Sequence, residues 1–148
     1  KDLRGNVPTR IQKLRQGDYD AILIAFAGVK RLDIPLSEFE SLLLSPSEFV
    51  PAAAQGALAF QTRKGDVKTN EIISKLNHIE SSITVGLERK ILNQFGGGCQ
   101  IPIGIFCDQQ NIFISYSKSW EKGSRIFKFE RTSDPDLSSK IVEKIKSI

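Results

Sequence analysis

The chain has 148 residues, of which 40% are hydrophobic and 26% charged, enough for a packed core and outside the range of a disordered polypeptide. No apolar run approaches the roughly 20 residues needed to cross a bilayer, and no secretory or lipidation motif is recognisable. The net charge of +4, from 21 basic and 17 acidic residues, is dispersed, so nucleic-acid binding would rest on the isoelectric point alone.

Cys99 and Cys107 are too few and too close for a disulfide framework, which points to a reducing, cytoplasmic compartment. The sequence begins with Lys1 and contains no methionine, so it is expected to be the C-terminal part of something longer.

In chain order, Leu3-Arg4-Gly5-Asn6-Val7-Pro8-Thr9-Arg10 leads from a strand end into a helix. Asn6 or Val7 sits near the N-cap, Pro8 suits the first turn, Ile11 and Leu14 share a face, and Gly17 is a stop. Arg4 and Arg10 flank the helix N-terminus. They are either two solvated arginines or an anion site in which guanidinium forks add to the helix dipole.

Tyr19–Phe26 is a continuous apolar run that predicts a strand buried on both faces of an α/β sheet. Ala27-Gly28-Val29-Lys30-Arg31-Leu32 follows as a turn into a short helix. Ligands of open α/β sheets bind at the carboxyl ends of strands, which would let Arg31 converge on one cleft with Arg4 and Arg10. A short amphipathic helix is predicted over residues 37–44, and a strand from Ala57 to Gln61. Gln55-Gly56 reads either as a turn that brings backbone close to a ligand or as a plain crossover turn.

After Lys64-Gly65-Asp66 the pattern changes to helices followed by strands, which suggests a second unit. Helices are predicted over 68–77 and 79–95, with Ile83, Leu87, Ile91, Leu92 and Phe95 periodic. His78, at their junction, reads as an interhelix hydrogen-bonding residue rather than a metal ligand, since no cysteine or second histidine lies at ligand spacing. Strands follow at 103–107, 112–116 and 125–131, alternating as an antiparallel sheet with one wetter face. A helix over 135–148 closes the chain on Leu137, Ile141, Val142 and Ile145.

Between the long helix and the first of these strands lies Gly96-Gly97-Gly98-Cys99-Gln100-Ile101-Pro102-Ile103-Gly104. Three glycines fit neither helix nor strand. The stretch is either an exposed loop that presents one thiol with space beside it, or a helix C-cap followed by a buried cysteine. Cys107, at a strand end, reads as a small core residue.

The motifs Leu3-Arg4-Gly5-Asn6-Val7-Pro8-Thr9-Arg10, Tyr19-Asp20-Ala21-Ile22-Leu23, Ala27-Gly28-Val29-Lys30-Arg31-Leu32, Gln55-Gly56-Ala57-Leu58 and Gly97-Gly98-Cys99-Gln100-Ile101-Pro102-Ile103-Gly104 occur in order. In this combination the chain resembles the C-terminal half of the porphobilinogen deaminase (hydroxymethylbilane synthase) family over nearly its whole length. The resemblance implies a transferase that polymerises porphobilinogen into the linear tetrapyrrole hydroxymethylbilane, with release of ammonia. It implies a dipyrromethane cofactor joined by a thioether to Cys99, with Gly98 in the cofactor loop. Arg4, Arg10 and Arg31 would hold the carboxylates of cofactor and growing oligopyrrole, and Gln55 and Gly56 would line the substrate pocket.

The implied fold is the end of an α/β domain of the periplasmic-binding-protein type, followed by a small domain with a three-stranded antiparallel sheet covered by helices. Residues 1–50 would finish the second domain, 51–66 would cross back to the first, and 67–148 would form the third domain, carrying the cysteine loop. The full-length protein would be a cytoplasmic monomer without nucleic-acid or membrane partners.

Two departures stand out: a commonly acidic position is Gly96 here, and a commonly glycine position is Ala54. The family's catalytic aspartate belongs to its first domain and matches nothing here, so no catalytic residue is assigned and this piece alone is expected to be inactive and, with exposed edges, poorly stable. The competing reading is a non-catalytic module that binds small carboxylates in an α/β cleft.

Overall fold

A computed structural model describes residues 2–96 and 101–148. Its backbone divides into two compact units, one ending at Leu43 and the other running from Leu44 to Ile148.

The first unit contains α1 (Val7–Arg15) and α2 (Phe26–Arg31). Asn6 caps α1 through Oδ1, which accepts from Thr9 N at 3.0 Å and Thr9 Oγ1 at 2.7 Å. The helix ends at Gly17, whose φ of +77° lets Gly17 N reach Leu14 O and Asp18 N reach Lys13 O, both at 3.0 Å. That pair of bonds is a Schellman cap. Ile11 and Val29 are the buried apolar residues, and Gly28 permits close packing of α2, since a Cβ there would lie 3.1 Å from Val7 Cγ2.

The expected strand at 19–26 does not form. Residues 21–25 form no strand, Leu23 is 58% exposed, and Phe26 already begins α2. An apolar run becomes a strand only when a neighbour completes its backbone hydrogen bonds, and the unit contains no such neighbour among the described residues. The helix expected at 37–44 is replaced by a turn at 37–39 and irregular backbone beyond it. Eight residues cannot sustain a helix without a surface for their apolar face, and Leu42 and Leu43 stand exposed. Arg15 instead holds the turn: its Nε donates to Glu38 Oε2 at 2.8 Å, and its guanidinium lies 6.0 Å from the Phe39 ring centre.

The second unit contains α3 (Val67–Ser74), α4 (Ile79–Gln94), β1 (Ile103–Cys107), β2 (Asn111–Tyr116), β3 (Arg125–Glu130) and α5 (Leu137–Lys146). The strands form one antiparallel sheet in the order β1-β2-β3, so this unit is a small α+β domain. Ile105 faces Ile114 and Cys107 faces Ile112 across β1 and β2, while Ile112 and Ile114 face Phe129 and Phe127 on β3. These side chains form the apolar face, closed by Ile91 of α4, by its C-cap Phe95 and by Ile141, Val142 and Ile145 of α5. The opposite face carries Phe106, Phe113 and Lys128, whose ammonium sits 5.6 Å from the Phe113 ring centre, and is the wetter one.

His78 turns out to be the N-cap of α4, with Nδ1 accepting from Ser81 N at 3.3 Å. The run at 57–61 is unpaired, with Leu58 84% and Phe60 63% exposed, so the strand expected there is absent: the sheet of this unit consists of β1, β2 and β3 and does not pair with it. Among the described residues, no helix is long and apolar enough to cross a membrane.

The outer edge of β1 is covered by the backbone at 50–51. Ile105 N donates to Pro51 O at 2.8 Å, and Gly104 lies so close that a Cβ would come within 2.4 Å of Val50 O. This crossing fixes where the chain enters the turn at 52–57.

Candidate functional site

In the first unit, Arg4 is exposed ahead of α1, with Nη2 3.8 Å from Asp2 Oδ2. Arg10 lies one turn into α1 and donates from Nε to Gly5 O at 2.7 Å, which steadies the guanidinium at the helix N-terminus and leaves the Nη groups for an anion. Lys13 Nζ reaches Arg4 O at 3.1 Å and adds positive charge at the same end. Arg31 is exposed in the last turn of α2. The structure thus places Arg4 and Arg10 together around one helix start and Arg31 at the end of the neighbouring helix. The guanidinium forks, with the positive end of the α1 dipole beside them, suit carboxylates.

In the second unit, Gln55 and Gly56 form one turn. Gln55 N donates to Ala52 O at 3.0 Å, and Ala57 N to Ala54 O at 3.1 Å. Gly56 has φ +82° and Ala54 has φ +63°. Alanine therefore occupies a left-handed conformation at the position where the resembled family commonly has glycine, a strain of order 1–2 kcal/mol. Ala54→Gly should raise stability by about 0.5–1 kcal/mol, after allowance for the freer unfolded chain, read as a higher denaturant midpoint at unchanged slope.

The turn is held by Glu88, which sequence reasoning did not single out. Its side chain is buried at 5% exposure, with Oε2 accepting from Ala54 N at 2.7 Å and Oε1 from Cys107 N at 2.8 Å. The available signal was its position three residues before Ile91 and seven before Phe95, on the buried face of α4. A second link joins α4 to the end of β1: Arg131 Nη1 donates to Glu80 Oε1 at 2.7 Å and to Asp108 O at 2.9 Å.

Gly98 and Cys99 lie outside the described residues. Their flanks are well anchored. Gly96 ends α4 at φ +107°, a conformation glycine adopts freely and an acidic residue would not. Phe95 packs on Tyr116 with ring centres 5.2 Å apart, and Ser117 N donates to Pro102 O at 3.0 Å beyond the loop.

The other thiol is closed to chemistry. Cys107 is 4% exposed, and burial first, then the Glu88 carboxylate, push its pKa up to about 12. The sign of the resulting pH dependence is fixed. Above the ordinary thiol value near 9 the unfolded chain has lost this proton while the folded chain keeps it, so stability falls as pH rises from about 9 to about 12. The limiting slope for one proton is about 1.4 kcal/mol per pH unit, and solvent screening narrows the pH window over which it acts. Cys107→Ala should lack this component, and the difference between the two alkaline stability curves measures it.

Carboxylates elsewhere serve structural ends. Asp66 caps α3 through Thr69, Asp108 accepts from Gln110 N and Asn111 N in the β1–β2 turn, and Asp134 binds Lys140 and Asp136 N. Each of these bonds holds its carboxyl below the usual range, as Arg15 does for Glu38. No cluster of three or more metal-ligating side chains occurs among the described residues.

Residues 1–71 match the protein-family model described as "Porphobilinogen deaminase, dipyromethane cofactor binding domain". Residues 82–147 match the one described as "Porphobilinogen deaminase, C-terminal domain".

Proposed function

Since the chain belongs to the porphobilinogen deaminase family, whose cofactor is dipyrromethane, we propose that it is part of the transferase that assembles hydroxymethylbilane and that Cys99 is the residue to which the cofactor is bound by a thioether. The observation that carries the reading is the state of the other thiol. The chain has two cysteines, and a buried, protonated Cys107 is a poor nucleophile, so Cys99 remains as the attachment point.

When bound, the dipyrromethane supplies the pyrrole terminus from which the product chain is extended. Arg4, Arg10 and Arg31 are the residues that would hold its acetate and propionate groups through guanidinium forks. The donor set suits a ligand bearing two carboxylates on every ring. Gly98, having no side chain, would suit a bulky adduct on the next residue, and the Gln55-Gly56 turn would line the pocket for porphobilinogen. The expectation that residues 1–50 finish an α/β domain of the periplasmic-binding-protein type accords with the family.

The 148 residues alone are proposed to be inactive, with the remainder of the enzyme as their partner. An acid that protonates a leaving amine near neutral pH needs a raised pKa, and the carboxyls with resolved shifts, Glu38, Asp66, Asp108 and Asp134, are all shifted downward. A free thiol and no disulfide framework suit the cytoplasm.

Intact mass and peptide mapping of the purified chain test the proposal. A mass excess confined to the Cys99 peptide, with no porphobilinogen consumed by the chain alone, is expected. An adduct on any other residue, or turnover by the isolated chain, overturns it.

A further inference from the structure

We infer that Glu88 is the positioning residue of the Gln55-Gly56 turn. One buried carboxylate clasps the turn to the end of β1 and so sets the pocket wall that the functional reading above assigns to porphobilinogen, a reading on which this inference rests.

The geometry leaves little freedom. The turn enters over β1 through the Ile105 N to Pro51 O bond and the close crossing at Gly104, which fixes its first residues only. Ala53 packs against the core, and the next residue, Ala54, takes φ +63°. Alanine leaves that conformation readily unless something holds it. The hold is the 2.7 Å bond from Ala54 N to Glu88 Oε2, while the other oxygen is fixed by Cys107 N at 2.8 Å. Charge-assisted bonds to both oxygens give the carboxylate one orientation, and hence the turn one position. Gln55 and Gly56 follow directly and are exposed. Their place therefore depends on a side chain on α4 that itself does not reach them.

Glu88→Gln is the discriminating substitution. It keeps size and one carbonyl acceptor but replaces the second oxygen with a donor, so one of the two backbone N–H groups must lose its partner, and the half-buried Ala54 N–H is cheaper to orphan than the buried Cys107 N–H. In the full chain, amide exchange should show Ala54 N–H at least tenfold less protected in Glu88→Gln, with Ile105, Ile112 and Ile114 unchanged. Porphobilinogen titrated into the wild-type chain should shift the Gln55 and Gly56 amides, and Glu88→Gln should weaken that response at least fivefold.

Should Glu88→Gln fold poorly, the Glu88→Gln/Ala54→Gly pair supplies the answer, because glycine accepts the turn conformation without strain. The pair should recover fold, and its Ala54-position amide should still exchange quickly.

Unchanged Ala54 protection in Glu88→Gln overturns the inference. So does a loss shared equally with the sheet core, which would make Glu88 merely structural, or a full porphobilinogen response in the variant. If the wild-type chain shows no response at Gln55 and Gly56, the pocket reading fails, and the exchange comparison still decides whether Glu88 holds the turn.

Discussion

Gly104→Ala should cost the second unit about 3 kcal/mol, whereas Gly86→Ala, the same chemical change eighteen residues earlier, should stabilise it by about 1 kcal/mol. At Gly86 a new methyl meets nothing within 4 Å and sits in the interior of α4, where alanine is the better helix former. At Gly104 the methyl would lie 2.4 Å from Val50 O and 3.0 Å from Pro51 O. Both are backbone atoms, so no side chain can swing aside.

The only relief is to lift residues 50–51 off the sheet. That movement breaks the Ile105 N to Pro51 O bond and leaves a donor on β1 without its partner. Overpacking and the orphaned donor each cost about 1–3 kcal/mol, against a total stability of about 5–15 kcal/mol for a domain. Denaturant titration of the two variants checks the opposite signs. Faster amide exchange at Ile105 and Ala54 in Gly104→Ala would locate the damage at the crossing. A loss below about 1 kcal/mol would mean that the 50–51 segment does not press on β1 as described.

The second unit was largely legible because its elements are specified locally. Ile103–Cys107 appears over the range its alternation predicts, the core face of α5 is the predicted one, and Asn6 caps α1 as its position before Val7-Pro8 suggests. The expected strands at 19–26 and 57–61 failed for one shared reason. Apolar composition reports that a segment wants a sheet, but pairing depends on neighbours that composition does not name. Glu88 was hidden differently. Its partners are backbone N–H groups 34 and 19 residues away, and a backbone donor has no signature in the sequence. The glycine-to-alanine departure at position 54 was visible, and its meaning emerged only with the φ of +63°.

Cys99→Ser should abolish every covalent adduct and all native thiol labelling of the chain, and Cys107→Ser should abolish neither. With its pKa pushed up to about 12, Cys107 is about one part in 10⁴ thiolate at pH 8. Its 4% exposure further denies a reagent the approach that displacement requires. Its side chain belongs to the apolar face that α4 and α5 close, so labelling it requires that core to open.

An unperturbed thiol has a pKa near 8.5 and a substantial thiolate fraction at the same pH. Native treatment with iodoacetamide at pH 8, followed by peptide mapping, separates the two by at least about a hundredfold in rate. A chain that already carries dipyrromethane shows the mass excess at Cys99 and takes no label, and a bare chain takes label there. Cys107 stays silent in both and reacts only after unfolding. Adduct or label on Cys107 in the native chain would overturn the assignment of the attachment site and, with it, the closed core that the sheet and its two helices build around that thiol.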